Sequence, residues 1–101
     1  MPNRALQYFT GDTETFRGAF EIEGVEQTPD TGTVKATILK DTSTTPVVSA
    51  QAGEIAGTQI RYKYASMTDG RYAIFLTAEY GNGAYKRTGK IEFVVRPKEA
   101  T

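Results

Sequence analysis

The sequence predicts an all-β fold, a two-sheet sandwich of about seven short antiparallel strands. Apolar residues recur with a period of two in several segments, and no stretch carries a sustained 3.6-residue stripe, so helix is not expected. Turn residues punctuate these segments at short, regular intervals. The clearest signal is the last third of the chain, residues 69–97, which reads as one long hairpin about Asn82-Gly83, a dipeptide suited to a turn with φ > 0 at both positions. A small closed barrel is the alternative architecture.

The hairpin carries its own test of register. With Asn82 and Gly83 as the turn, the runs 70–81 and 84–96 set Tyr80 opposite Tyr85, Ile74 opposite Ile91 and Tyr72 opposite Phe93 on one face. The other face sets Glu79 against Lys86, Thr77 against Thr88 and Phe75 against Lys90. Aromatic pairs, opposite charges and Thr–Thr pairs each stabilise an antiparallel ladder by roughly 0.2–1 kcal/mol. A slip of one residue would exchange the faces, so the register is well specified.

Earlier elements follow in chain order. Residues 5–10 form a lead-in strand that turns at Gly11-Asp12. Residues 13–23 alternate as one half-buried strand with Phe16, Gly18, Phe20 and Ile22 on its inner face; Gly18 in that row suggests a bulge or a close approach of the facing sheet. Residues 24–32, with Pro29 and Gly32, are a turn-rich connection. Residues 33–40 are the next strand, with Val34, Ala36 and Ile38 inward and Lys40 among the outward positions, and 41–46 are a polar loop. Residues 46–50 suit a short edge strand, where Pro is tolerated. Residues 52–58 either continue that edge or cross between sheets. Residues 59–65 alternate again, and residues 1–4 and 98–101 are frayed ends of a single domain.

The expected core is Phe16, Phe20, Ile22, Val34, Ala36, Ile38, Ile60, Tyr62, Ile74, Leu76, Ile91, Phe93 and Val95. Asp69-Gly70-Arg71-Tyr72 adds a topological cue. An immunoglobulin-like sandwich places a tyrosine corner where Tyr72 falls, with the phenol bonded back to nearby backbone.

Composition narrows the chemistry. At 101 residues the chain can bury a core without disulfides or metal, and it contains neither Cys nor His. That removes thiol nucleophiles, thiolate sites, the commonest general base and the commonest metal ligand. Twelve basic residues balance twelve acidic ones, which gives no electrostatic case for nucleic acid or an anionic membrane. No run has signal-peptide or membrane-spanning character, so the expectation is a cytoplasmic product. Glu21 and Glu23 share a strand face but read as solvated surface. Gly81-Asn82-Gly83 lacks the Lys-Ser/Thr of a phosphate loop, and the serines sit in no nucleophile elbow. No catalytic, cofactor or metal residues are assigned, and an enzyme is not expected.

Binding candidates lie on the hairpin. Tyr80, Asn82 and Tyr85 mark its tip, where the two tyrosines read either as a cross-strand aromatic pair that holds the turn or as contact residues, and Lys86, Arg87 and Lys90 are the basic residues beside it. Charge is uneven along the chain. Asp12, Glu14, Glu21, Glu23, Glu26 and Asp30 dominate residues 1–34, and bases dominate residues 61–98. In a sandwich these segments can neighbour each other and complement one another internally; the alternative is one acidic and one basic face that stack copies head to tail.

Over residues 8–97 the chain resembles the small immunoglobulin-like structural proteins of tailed bacteriophages and prophages. The resemblance rests on Gly11-Asp12-Thr13 before the alternating Phe strand, on residues 33–38 (Thr-Val-Lys-Ala-Thr-Ile), on Asp69-Gly70-Arg71-Tyr72, on residues 78–83, and on Phe93-Val94-Val95-Arg96-Pro97. Tyr72 stands where relatives often carry Trp, and residues 42–58 are longer than the pattern. The resemblance implies a virion accessory role in head decoration or in the neck, tail or baseplate. The partners would be other virion proteins and copies of itself, with assembly in the host cytoplasm. The alternative is a bacterial adhesion or carbohydrate-binding module, whose partner would be a glycan.

Overall fold

The computed structural model describes residues 6–41, 45–65 and 67–97. The expected frayed ends and the first residue of the expected lead-in strand lie outside them. Ten strand segments run in chain order: β1 (Leu6–Phe9), β2 (Glu14–Ala19), β3 (Glu21–Ile22), β4 (Val25–Glu26), β5 (Lys35–Lys40), β6 (Val48–Ala52), β7 (Glu54–Ala56), β8 (Gln59–Tyr64), β9 (Gly70–Tyr80) and β10 (Tyr85–Arg96). No helix occurs among the described residues. A five-stranded sheet has the order β1-β10-β9-β5-β6, a three-stranded sheet the order β2-β8-β7, and β3 and β4 form a separate ribbon. The protein is an all-β sandwich, and its strand order is that of an immunoglobulin-like domain, with β2, β8 and β7 facing β5, β9 and β10.

The β9–β10 hairpin keeps the register its cross-strand chemistry favours, from Tyr80 opposite Tyr85 to Gly70 opposite Val95. Burial along β9 alternates strictly from Tyr72 to Tyr80, so Tyr72, Ile74, Leu76, Ala78 and Tyr80 all face the other sheet. Ala36 and Ile38 of β5, Val34 just before it, and Ile60 of β8 complete the middle of the core. One end is aromatic. Tyr72 stacks on Phe93 at 5.0 Å, Phe93 meets Phe16 across the sheets at 4.9 Å, and Tyr8 and Tyr64 pack edge-on. The Tyr72 phenol donates to the Thr68 carbonyl at 2.7 Å and lies 2.8 Å from the Thr68 hydroxyl, which is the tyrosine corner.

Several elements depart from the pattern read along the chain. β1 pairs parallel to β10, Leu6 opposite Phe93, because the chain leaves β1 for the other sheet and never reverses beside it. Residues 13–23 break at Phe20 into β2 and the start of the ribbon, since Glu23 and Gly24 both take positive φ (54° and 81°) and fold β4 back onto β3. Residues 52–58 cross between sheets and contribute β7. The crossing point is Gly53, where an added Cβ would stand 2.7 Å from both the Arg61 carbonyl oxygen and Val34. A Cβ added at Gly18 would meet Ile60 and Leu76 only at ordinary contact distance, and the β2–β8 register runs through Gly18 without a bulge.

The core also shifts. Phe20, Tyr62 and Ile91 are half-buried partners of the core, whereas Met67, Ala78 and Tyr80 join it fully. Met67 caps the aromatic end, where its carbonyl accepts from Gly11 and its own N–H donates to Asp12. Lys40, expected outward, falls on the inner row opposite Tyr72. Its methylenes lie on Gly70 and its ammonium sits 5.9 Å from the Tyr72 ring centre, so the stem is covered while the charge stays near the rim.

Candidate interaction surface at the hairpin tip

The tip is a tight turn with φ of 56° at Asn82 and 84° at Gly83, closed by the Ala84 N–H donating to the Gly81 carbonyl at 3.2 Å. Positive φ at both central residues matches the right-handed twist of the flanking strands. Asn82 stands exposed at the apex, and Tyr85 is 37% exposed beside it. Arg87 lies over the Tyr85 ring at 5.5 Å.

A second segment, remote in sequence, is clipped to this turn. Asp30 Oδ2 accepts the Gly83 N–H at 2.8 Å, and the Asp30 N–H donates to the Glu79 carbonyl at 2.8 Å. The Thr33 hydroxyl donates to the Asp30 carbonyl at 2.7 Å and accepts the Glu79 N–H at 3.1 Å. The result is an open depression walled by Pro29, Asp30 and Thr31 on one side and by Glu79 and Asn82 on the other. Residues 29–33 carry no local sign of this role. Thr-Pro-Asp-Thr-Gly reads as a turn, and its partners lie some fifty residues away.

The expected binding residues do not form one surface. Tyr80 is fully enclosed and is corrected from a contact residue to a core residue. It sits on the inner row, and the Phe20 ring packs edge-on against it at 6.4 Å. Burial pushes its phenol above the usual tyrosine range, an effect that the Arg87 charge partly offsets. Its hydroxyl has no hydrogen-bond partner among the described residues. Arg87 does not belong to the outer basic row. It lies opposite Ala78 on the inner row, half-buried between the tip tyrosines. Lys86 and Lys90 are outward, with Lys90 6.0 Å from the Phe75 ring centre and 3.7 Å from the Glu92 carboxylate. Asn82, Tyr85 and Arg87 therefore gather at the tip, while Lys86 and Lys90 belong to the outer face of the five-stranded sheet.

That outer face carries a second depression between Asp41, Arg71, Ala73, Lys90 and Glu92. Its floor is fixed by two bonds between Asp41 and Arg71: Asp41 N–H donates to the Arg71 carbonyl, and Arg71 N–H donates to the side-chain Oδ1 of Asp41 at 3.2 Å. Opposite charges alternate around it, so it can take polar groups of either sign and is tuned to neither. No three potential metal-ligating side chains converge among the described residues. Compared with known protein families, curated proteins and solved structures, the chain matches none of them.

Proposed function

We propose that the chain is a non-enzymatic structural or accessory protein of a tailed-phage virion, acting through protein–protein contacts. The observation that carries this reading is the strand order together with the tyrosine corner. They give the kind of frame that the resemblance over residues 8–97 implies. On such a frame, contacts are made by loops at the sandwich ends and by the outer sheet faces. Here those are Asn82 and Tyr85 at the tip and the Lys86–Lys90 row on the five-stranded sheet. The fold alone fits many functions, so the test is on the particle. Phage particles from a lysate of the encoding strain are banded by density and probed with an antibody to this chain. The expected result is a band that travels with intact particles. Protein left at the top of the gradient, with retention on a glycan array, would replace the proposal with the exported carbohydrate-binding module.

A further inference from the structure

Two like-charge pairs stand directly opposite each other in this small sandwich, and each worsens the ladder that holds it. On the outer face of the three-stranded sheet Arg17 faces Arg61, and Lys63 lies one pleat further along, opposite Thr15. On the ribbon Glu21 faces Glu26, with Glu23 at the turn between them. Among the described residues, neither group is closed by an ion pair. The ion pair found among the described residues is Lys90–Glu92, on the other sheet. Arg61 is held by Gln59 through a 3.0 Å hydrogen bond, and Glu26 accepts the Thr58 hydroxyl at 2.8 Å. Glu54, opposite Arg61 on β7, is the acid on the basic face and leaves it an excess of positive charge.

The ribbon is also built to project. Ile22 is 2% exposed and anchors its base, whereas Val25, its cross-strand partner, is 60% exposed. The ribbon follows β2 directly, beyond the Ala19–Gln59 end of the sheet. The Glu26–Thr58 bond ties it to the β7–β8 turn at that same end. Glu21 lies four residues past Arg17, up to about 13 Å along a nearly extended chain.

We propose that the acidic β3–β4 ribbon of one copy docks on the basic β2–β8 outer face of a second copy. The carboxylates of Glu21, Glu23 and Glu26 meet Arg17, Arg61 and Lys63. Val25 packs on the aliphatic stems of the two arginines, which form charge-assisted bonds while their methylenes cover apolar surface. Each copy carries both surfaces, so the contact is heterologous and propagates into a ring or a file of subunits. The proposal rests on the contact-module reading above and names a second copy as the partner. Its test uses the purified chain alone and so stands apart from the particle experiment.

Sedimentation velocity of the wild-type chain at low salt is expected to show a sedimentation coefficient that rises with concentration. The rise should vanish at high salt, where the Debye length falls to a few ångströms. Arg17→Glu/Arg61→Glu and Glu21→Lys/Glu26→Lys, each checked for folding by circular dichroism, should both be monomeric alone. Mixed in equal amounts they should associate again, because each then offers the other a complementary surface. A wild-type chain that stays monomeric at low salt overturns the proposal. So does association that survives high salt or either double substitution, and so does a mixture that remains monomeric.

Discussion

Tyr72 and Tyr80 sit at opposite ends of the same inner row, yet their hydroxyls do different things. The Tyr72 phenol closes the corner onto Thr68, and Tyr72→Phe should lower stability in urea unfolding by about 1 kcal/mol, the net worth of an ordinary hydrogen bond. Tyr80 buries a hydroxyl with no partner among the described residues, so Tyr80→Phe should leave stability unchanged or raise it by up to about 1 kcal/mol. A larger loss for Tyr80→Phe than for Tyr72→Phe would reverse these roles. Alternation told which residues share a row, which was enough to place Phe93, and the Asp-Gly turn before Tyr72 was enough to anticipate the corner. Alternation could not tell how far the facing sheet extends, and so Phe20 and Tyr80 were exchanged between core and rim. Phe93→Ala should therefore cost about 3–5 kcal/mol, and Phe20→Ala, at a partly buried side chain, about 1–2 kcal/mol. Equal losses in the two variants would mean that Phe20 is as well covered as Phe93.

At the scale of elements, what was legible is what is local. The β9–β10 register follows from its turn and its neighbours, and both lie within one continuous stretch. The β3–β4 ribbon and β7 were missed because two or three residues cannot display a period. The clip from Asp30 and Thr33 to the hairpin tip was missed for the opposite reason, since its partners are joined only by the fold. Gly53 belongs with these non-local features. Residues 52–58 left open whether the chain continues its edge or crosses between sheets, and Gly53 is the point at which it crosses, against the Arg61 carbonyl. Gly53→Ala should destabilise by about 1–3 kcal/mol through crowding of rigid backbone, measured by thermal or urea unfolding. A neutral Gly53→Ala would show that the crossing has room that the contact distances deny.

For the molecule as a whole, the tyrosines couple stability to alkaline pH. Burial raises the phenols of Tyr8, Tyr64 and Tyr80 above their ordinary value near 10; Glu14 adds to the rise at Tyr8, and Tyr72 and Tyr62 add to it at Tyr64. The folded chain thus keeps protons that the unfolded chain releases above about pH 10. This stabilisation is complete below the unfolded value and is lost as pH rises through the higher folded values. Urea midpoints should fall above about pH 10, and the fall should be smaller in Tyr64→Phe. A Tyr64→Phe chain with an undiminished fall would remove Tyr64 from the linkage. Sandwich architecture, core rows and hairpin register were all legible at this scale, because they follow from polarity patterns along the strands. The contact surfaces were not, because exposure depends on which loops cover which strand ends. The virion role proposed above makes this sandwich a stoichiometric part of a phage particle, which quantitative mass spectrometry of purified particles can test. Peptides of this chain are expected at a constant ratio to the major capsid subunit in every preparation. Particles that lack them would contradict it.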